Sequence, residues 1–228
     1  MYDRAMVIFD ALAEKNDDYQ AEGYSVLCQI LLQTGDCGHR VREYAGRYPY
    51  SWLLPQIRYR YALDLFDKDD YEGAAAEFAM ISRARLHRDQ ADEFLFKRAY
   101  CDFSLGDYDR AYLRFRDIDG RPLSDYTAPA RYAAGYICYS RKNFGEALEW
   151  FSKSVTDSRF SAMSSYYLME CRFMLGDHRA VCDMGPEMLD KVPQERRPHL
   201  VRMISESWLV LGDAEKARYW FDQNKETS

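Results

Sequence analysis

The chain lacks most of the patterns by which a sequence announces chemistry. Its 228 residues contain no Gly-rich phosphate loop, no nucleophile elbow and no HExxH. The commonest marks of nucleotide binding, acyl transfer and zinc peptidase activity are therefore missing. None of the six cysteines (Cys28, Cys37, Cys101, Cys138, Cys171 and Cys182) forms a CxxC. They are expected to be small buried hydrophobes rather than a disulfide framework, which belongs to short, core-poor secreted domains. His178 with Cys182, and Cys37 with His39, are only pairs, and structural zinc needs four ligands. No cofactor or metal is expected. No apolar run reaches about 18 residues, so no membrane span is expected. Basic residues do not dominate: Lys and Arg number 31 against 37 Asp and Glu, a net charge of −6. Such a balance is unsuited to general phosphate neutralisation, so nucleic acid is not an expected partner. Nor is the composition that of a disordered chain, at 47% hydrophobic and 30% charged.

Against these gaps stands one recurring feature. A small residue is followed four positions later by an aromatic at Ala5/Phe9, Ala74/Phe78, Ala111/Phe115, Ala147/Phe151 and Ala217/Phe221. Degenerate copies fall between them at Arg40/Tyr44 and Val181/Gly185. Successive anchors lie 35, 34, 37, 36, 34 and 36 residues apart. A period near ~34 is that of a helix–turn–helix repeat. Such an array buries each apolar face against its neighbours rather than in one central core.

One unit, RAYCDFSLGDYDRAYLRFRDI, shows the logic. Gly106 suits the left-handed position that ends a helix, and Asp107 suits the cap of the next. Ala111 is small where the two helices cross, and Phe115 fills the space beside it. The same punctuation precedes the other anchors, as Gly35-Asp36, Asp69-Asp70, Lys142-Asn143, Gly176-Asp177 and Gly212-Asp213. Helices are predicted at about 2–15, 18–34, 37–47, 51–67, 71–83, 88–105, 108–117, 125–141, 144–155, 160–175, 178–190, 196–211 and 214–225. The prolines agree: Pro49, Pro122, Pro193 and Pro198 fall in linkers or first turns, and Pro55, Pro129 and Pro186 early in helices.

The run Gly-Asp-Tyr-x-x-Ala-x-x-x-Phe resembles the tetratricopeptide repeat (TPR) signature, and the resemblance covers essentially the whole chain. The fold it implies is all-α, an α-α superhelix or solenoid. It would hold a leading half-repeat over 1–15 and six repeats at about 18–48, 51–84, 88–119, 125–156, 160–191 and 196–226. The wording of DEFLFKRAYCDFSLGDYDRAYLRF and YTAPARYAAGYICYSRKNFGEALEWF looks like the N-terminal repeat region of large secreted Bacteroidetes TPR proteins. That resemblance implies a periplasmic or outer-membrane-associated array, with a cytoplasmic one as the alternative, and it carries no catalytic residues. MYDRAMVIFDALAEK reads as a second helix without its first, so a longer array and a removed signal peptide are expected. Arg98, Asp102 and Arg172 depart from the family pattern at inward positions, which puts the local helix rotation in question by one residue. Arg98 and Asp102, four apart, are expected to pair.

Counting back from each turn to the family's groove positions yields Tyr59, Phe66, Phe96, Tyr100, Phe103, Tyr132, Tyr136, Tyr139, Tyr166 and Phe173, with Arg58, Arg60, Arg98 and Arg131 on or beside them. Tyr, Phe and Arg are favoured in interface cores, yet aromatics at helical spacing also serve plain packing. The expected function is a non-catalytic scaffold that binds a protein or peptide segment in this groove. A self-assembly module forming homo-oligomers and, more remotely, a regulatory domain of an enzyme are the alternatives.

Overall fold

The computed structural model describes residues 1–16 and 18–226. Thirteen α-helices and no strand occur among them, as the periodicity requires. The chain divides into two compact units, Met1–Arg114 and Phe115–Ser228, with the division falling inside one helix.

Unit 1 contains α1 (Tyr2–Asn16), α2 (Tyr19–Leu32), α3 (Cys37–Arg47), α4 (Leu54–Asp67), α5 (Tyr71–Ala79), α6 (Ala91–Ser104) and the first part of α7 (Tyr108–Asp119). Unit 2 contains the rest of α7, then α8 (Thr127–Ser140), α9 (Phe144–Ser154), α10 (Ser161–Met174), α11 (His178–Met188), α12 (Arg197–Val210) and α13 (Ala214–Glu226). Within each unit the helices pack in series. Neighbours in sequence touch, and first helices of successive repeats touch one another, as with α2 on α4, α4 on α6 and α10 on α12. This all-α solenoid packing is the expected fold class.

The turn chemistry operates as the spacing predicts. The residue ending the first helix is left-handed, with φ 81° at Gly106 and 76° at Gly176, and even without glycine, 60° at Asp69 and 61° at Lys142. The acid after it caps the next helix: Asp36 accepts from the His39 amide, Asp70 from Gly73, Asp107 from Arg110, Asp177 from Ala180 and Asp213 from Lys216. Each such bond satisfies one of the free amides of a helix start.

The anchor pairs sit where the hairpins close. Ala74, Phe78, Ala111, Phe115, Ala147 and Phe151 are all fully buried. Phe151 lies so close to α8 that a Cβ on Gly135 would stand 2.9 Å from its ring. At the degenerate copy the roles reverse: Gly185 leaves room that Ile204 of α12 fills, 2.7 Å from where a Cβ would stand. At the last copy the pattern fails, because Phe221 is 54% exposed.

Three expectations are corrected. Helix α4 starts at Leu54 rather than 51, because the Ser51 hydroxyl accepts from the Leu53 amide and holds a turn. The stretch from Met80 to Gln90 is a loop with two short 3₁₀ turns, where longer flanking helices were predicted. Ile81 folds back into the core, in a cluster with Phe78 and Phe94. Pro186 lies in the last turn of α11, not early in its helix.

Candidate functional site

The ten groove candidates fall into two sets, five in each unit. In unit 1, Phe66 of α4 and Phe96, Tyr100 and Phe103 of α6 are all partly exposed. Tyr100 is their hub, with ring centroids 5.6 Å from Phe66, 6.1 Å from Phe96, 5.9 Å from Phe103 and 5.9 Å from Tyr71. Tyr71 and Tyr108, the first residues of α5 and α7, extend the chain of rings through Phe66 and Phe103. These two were not foreseen, although each occupies the same slot after a turn and a capping acid. Lys97 lies 4.2 Å over the Phe66 ring and 3.1 Å from Asp67. The surface is therefore half-buried aromatic with a charged rim.

In unit 2, Tyr136 is 38% exposed, while Tyr132, Tyr139 and Phe173 are partly so. Their hub is Tyr167, a residue outside the expected set. It is buried, stacks on Phe151 at 4.9 Å and 12°, and meets Tyr139 at 4.9 Å and Tyr136 at 6.1 Å. Burial raises the Tyr132 phenol to about 12. Burial first, then a hydrogen bond to Glu170, also pushes Tyr139 up. Phe173 packs edge-on against His178 at 5.5 Å and stays apart from the Tyr167 rings.

Two candidates offer no surface. Tyr59 is 0% exposed and Tyr166 is 2% exposed. Each phenol reaches into the first helix of the next repeat, Tyr59 donating to Glu93 at 2.6 Å and Tyr166 meeting His199 Nδ1 at 2.7 Å. Around His199 the donors can be assigned. Arg202 can only donate, and its Nη2 lies 2.8 Å from Nε2, so Nε2 accepts. Nδ1 then carries the proton in the neutral ring and donates to Tyr166. The Tyr166 hydrogen is left for Glu170; burial first, then Glu170's charge and hydrogen bond, push that phenol up. Both tyrosines join repeats rather than line a groove.

The flanking arginines are mostly engaged. Arg58 binds Glu77 at 2.7 Å and Arg131 binds Asp119 at 2.5 Å, while Arg60 remains exposed beside Tyr59. The expected Arg98–Asp102 pair is replaced. Asp102, buried on α6, bonds Arg114 of α7 and lies 3.8 Å from Arg110. The carboxylate turns inward toward the partner helix, where the cations come from across the hairpin. Burial raises the Asp102 pKa against the pull of Arg114.

All six cysteines are buried thiols. Burial raises Cys101, Cys138 and Cys171 to about 12, which keeps them protonated and poor as nucleophiles. His178 bonds Ser207 at 3.1 Å rather than Cys182. Among the described residues no group of three or more His, Cys, Asp or Glu converges to hold a metal. No described helix is long and apolar enough to cross a membrane.

No protein-family model matches the chain, and no curated protein matches it. Solved structures do. MamA from Desulfovibrio magneticus RS-1 aligns with a TM-score of 0.59 at 18% identity, covering 76% of this chain and 94% of that one. The apo form of RapI aligns at 0.58 and 16% identity, over 99% of this chain and 71% of RapI. The nearly identical TPR-like repeats of a Podosopora anserina protein align at 0.53 and 11% identity, over 75% and 93%. The fold is TPR-like. At these identities the likeness concerns the fold, and the roles of individual residues rest on the geometry above.

Proposed function

We propose that this chain is a non-catalytic interaction scaffold that holds a protein or peptide segment against the Tyr/Phe-rich face of its first helices. The observation that carries this reading is the chain of ring contacts around Tyr100, partly exposed although the anchor rings beneath are already fully buried. Stacked helix hairpins present such extended faces to partners. Tyr contributes large contact area at small entropic cost, with a polar tip to orient a ligand. The substitutions Tyr100→Ala and Tyr136→Ala test it. Both rings are at least partly exposed, so helicity should be kept while capture of a partner by the full-length protein falls. Normal capture by both variants would end the proposal.

A self-assembly role is the second reading, and a specific surface favours it. Leu209, Val210, Tyr219 and Phe221, on α12 and α13, are 62%, 64%, 59% and 54% exposed. Light scattering across a concentration series separates the two, since a monomer throughout removes this alternative. A periplasmic or outer-membrane-associated location is proposed on the sequence resemblance, and cell fractionation with an antibody tests it.

A further inference from the structure

In a stacked array the loops that join one repeat to the next share an edge, and insertions there project from it, often as a binding face. In unit 1 these loops are residues 48–53, between α3 and α4, and 80–90, between α5 and α6. They span six and eleven residues, against three or four for the turns within hairpins.

Both loops are fixed from below. Ser51 Oγ lies 2.7 Å from the Tyr44 hydroxyl, and the neighbouring Leu53 is buried. In the longer loop Ile81 is buried, and Gln90 spans from the His87 amide to Gln56 Oε1, at 3.1 Å each. Yet residues beside these anchors stand out in solvent. Tyr50 is 99% exposed, Trp52 53% and Met80 69%. Two clefts flank Tyr50 and share Pro49 and Ser51. One, of about 390 Å³, is lined by Tyr19, Tyr48 and Trp52. The other, of about 350 Å³, is lined by Leu54, Pro55, Met80 and Arg85.

The charge of this edge opposes that of the chain. Residues 82–88, SRARLHR, contain three arginines and no acid in a protein of net charge −6. Arg83, Arg85 and Arg88 are exposed and form no ion pair among the described residues. Elsewhere the arginines of unit 1 commonly hold partners, as Arg47 does Glu22 and Arg58 does Glu77.

We infer that this edge is a second binding site, separate from the Tyr/Phe face, for an extended acidic peptide segment bearing an apolar side chain. The apolar side chain enters the cleft between Tyr50 and Met80, and the acidic residues meet Arg85 and its neighbours. Tyr, Trp, Met and Arg are the residue types favoured in interface cores. Because the loop backbones are already held, little ordering entropy opposes binding.

The test is selection of short random peptides displayed on phage against the chain, followed by NMR mapping and fluorescence anisotropy of the winners. Winners should be rich in Asp and Glu around an aliphatic or aromatic residue and should shift the Trp52 indole resonance. Their binding should weaken with salt, as rim charge pairs do. Tyr50→Ala and Arg85→Glu should each cost about tenfold or more in affinity. Both side chains are exposed, so the melting temperature should stay put, and Tyr100→Ala should leave this binding unchanged. The inference is overturned if no peptides are enriched, if winners carry no acidic bias, or if their binding ignores both loop variants and follows Tyr100→Ala. It is also overturned if Tyr50→Ala abolishes a self-association of the chain, since the edge would then be a contact between copies.

Discussion

Lys97 in unit 1 and Tyr167 in unit 2 occupy the same place in their repeats, nine residues before the left-handed turn glycine at 106 and 176. Their neighbours correspond as well: Phe96 with Tyr166, and Phe103 with Phe173. Their contacts differ. Tyr167 enters the core, stacks on the anchor ring Phe151 and draws Tyr132, Tyr136 and Tyr139 into one cluster. Lys97 lays its ammonium over Phe66 and leaves the rings around Tyr100 partly exposed. The residue at this repeat position thus sets what the groove aromatics pack against, a core ring in unit 2 and an ammonium in unit 1, while most of them stay partly exposed in both.

The sharpest way to break this comparison is truncation at the two positions. Tyr167→Ala should destabilise the fold by about 3–5 kcal/mol, as for buried aromatics. Lys97→Ala should cost less than about 1 kcal/mol, the scale of a partly exposed cation–π contact and ion pair. Chemical denaturation of both variants measures the difference, and equal costs would contradict the contrast. A smaller effect is expected at the phenols that cross between repeats. Tyr166→Phe and Tyr59→Phe should each lose about 1 kcal/mol, the scale of one hydrogen bond to a partly buried partner. Tyr136→Phe, at a partly exposed ring, should lose less than about 0.5 kcal/mol.

Two carboxylates extend the comparison to pH. Burial raises Asp102 in unit 1 above its ordinary 3.8. For Asp119 in unit 2 burial also acts upward, but hydrogen bonds from Arg131 and Lys153 outweigh it and hold the group below 3.8. Asp119 therefore stabilises the fold above its unfolded pKa, and that contribution is lost as pH falls through the lowered folded value. Asp102 has the reverse sign: its folded form retains the proton, so its contribution diminishes as pH rises from 3.8 through the raised value. Carboxyl carbon NMR titration should place the Asp119 midpoint below that of Asp102. Asp119→Asn should flatten the acid limb of the stability curve, and Asp102→Asn should not. A gain rather than a loss is expected at a turn. Lys142→Gly, at φ 61°, should stabilise unit 2 by about 0.5–1 kcal/mol, visible as a raised melting temperature.

The fold was largely legible because its signals are local. A left-handed residue, a capping acid and a small–aromatic pair act within one hairpin, so a single reading frame placed thirteen helices with errors mainly at three ends. The errors share a cause. Ser51, Ile81 and the Gln90 side chain bind groups outside their own helix, and helical periodicity carries no record of such partners. The site was legible only as a list of positions. Counting from the turns put Tyr59, Phe96, Tyr132 and Tyr166 in one column, and their fates differ. Tyr59 finds Glu93, and Tyr166 finds His199, thirteen residues before the next left-handed turn residue in both cases. The matching residue after Tyr132 is Met163, so the Tyr132 hydroxyl turns to Tyr167 instead, and Phe96 has no hydroxyl at all. A satisfied hydroxyl is not enough for full burial: Tyr132 and Tyr139 bond Tyr167 and Glu170 and stay partly exposed, whereas Tyr59 and Tyr166 are buried.

By itself, then, the amino-acid order determined the repeat length, the helix pairs and the turns between them, since those depend on residues a few positions apart. Which aromatic rings stay in contact with water, which carboxylate binds which arginine, and how residues 80–90 fold back over their hairpin were decided only in three dimensions. Each depends on a partner brought in by another helix, often a repeat away, and the free energy of burying a polar group turns on whether that partner is there.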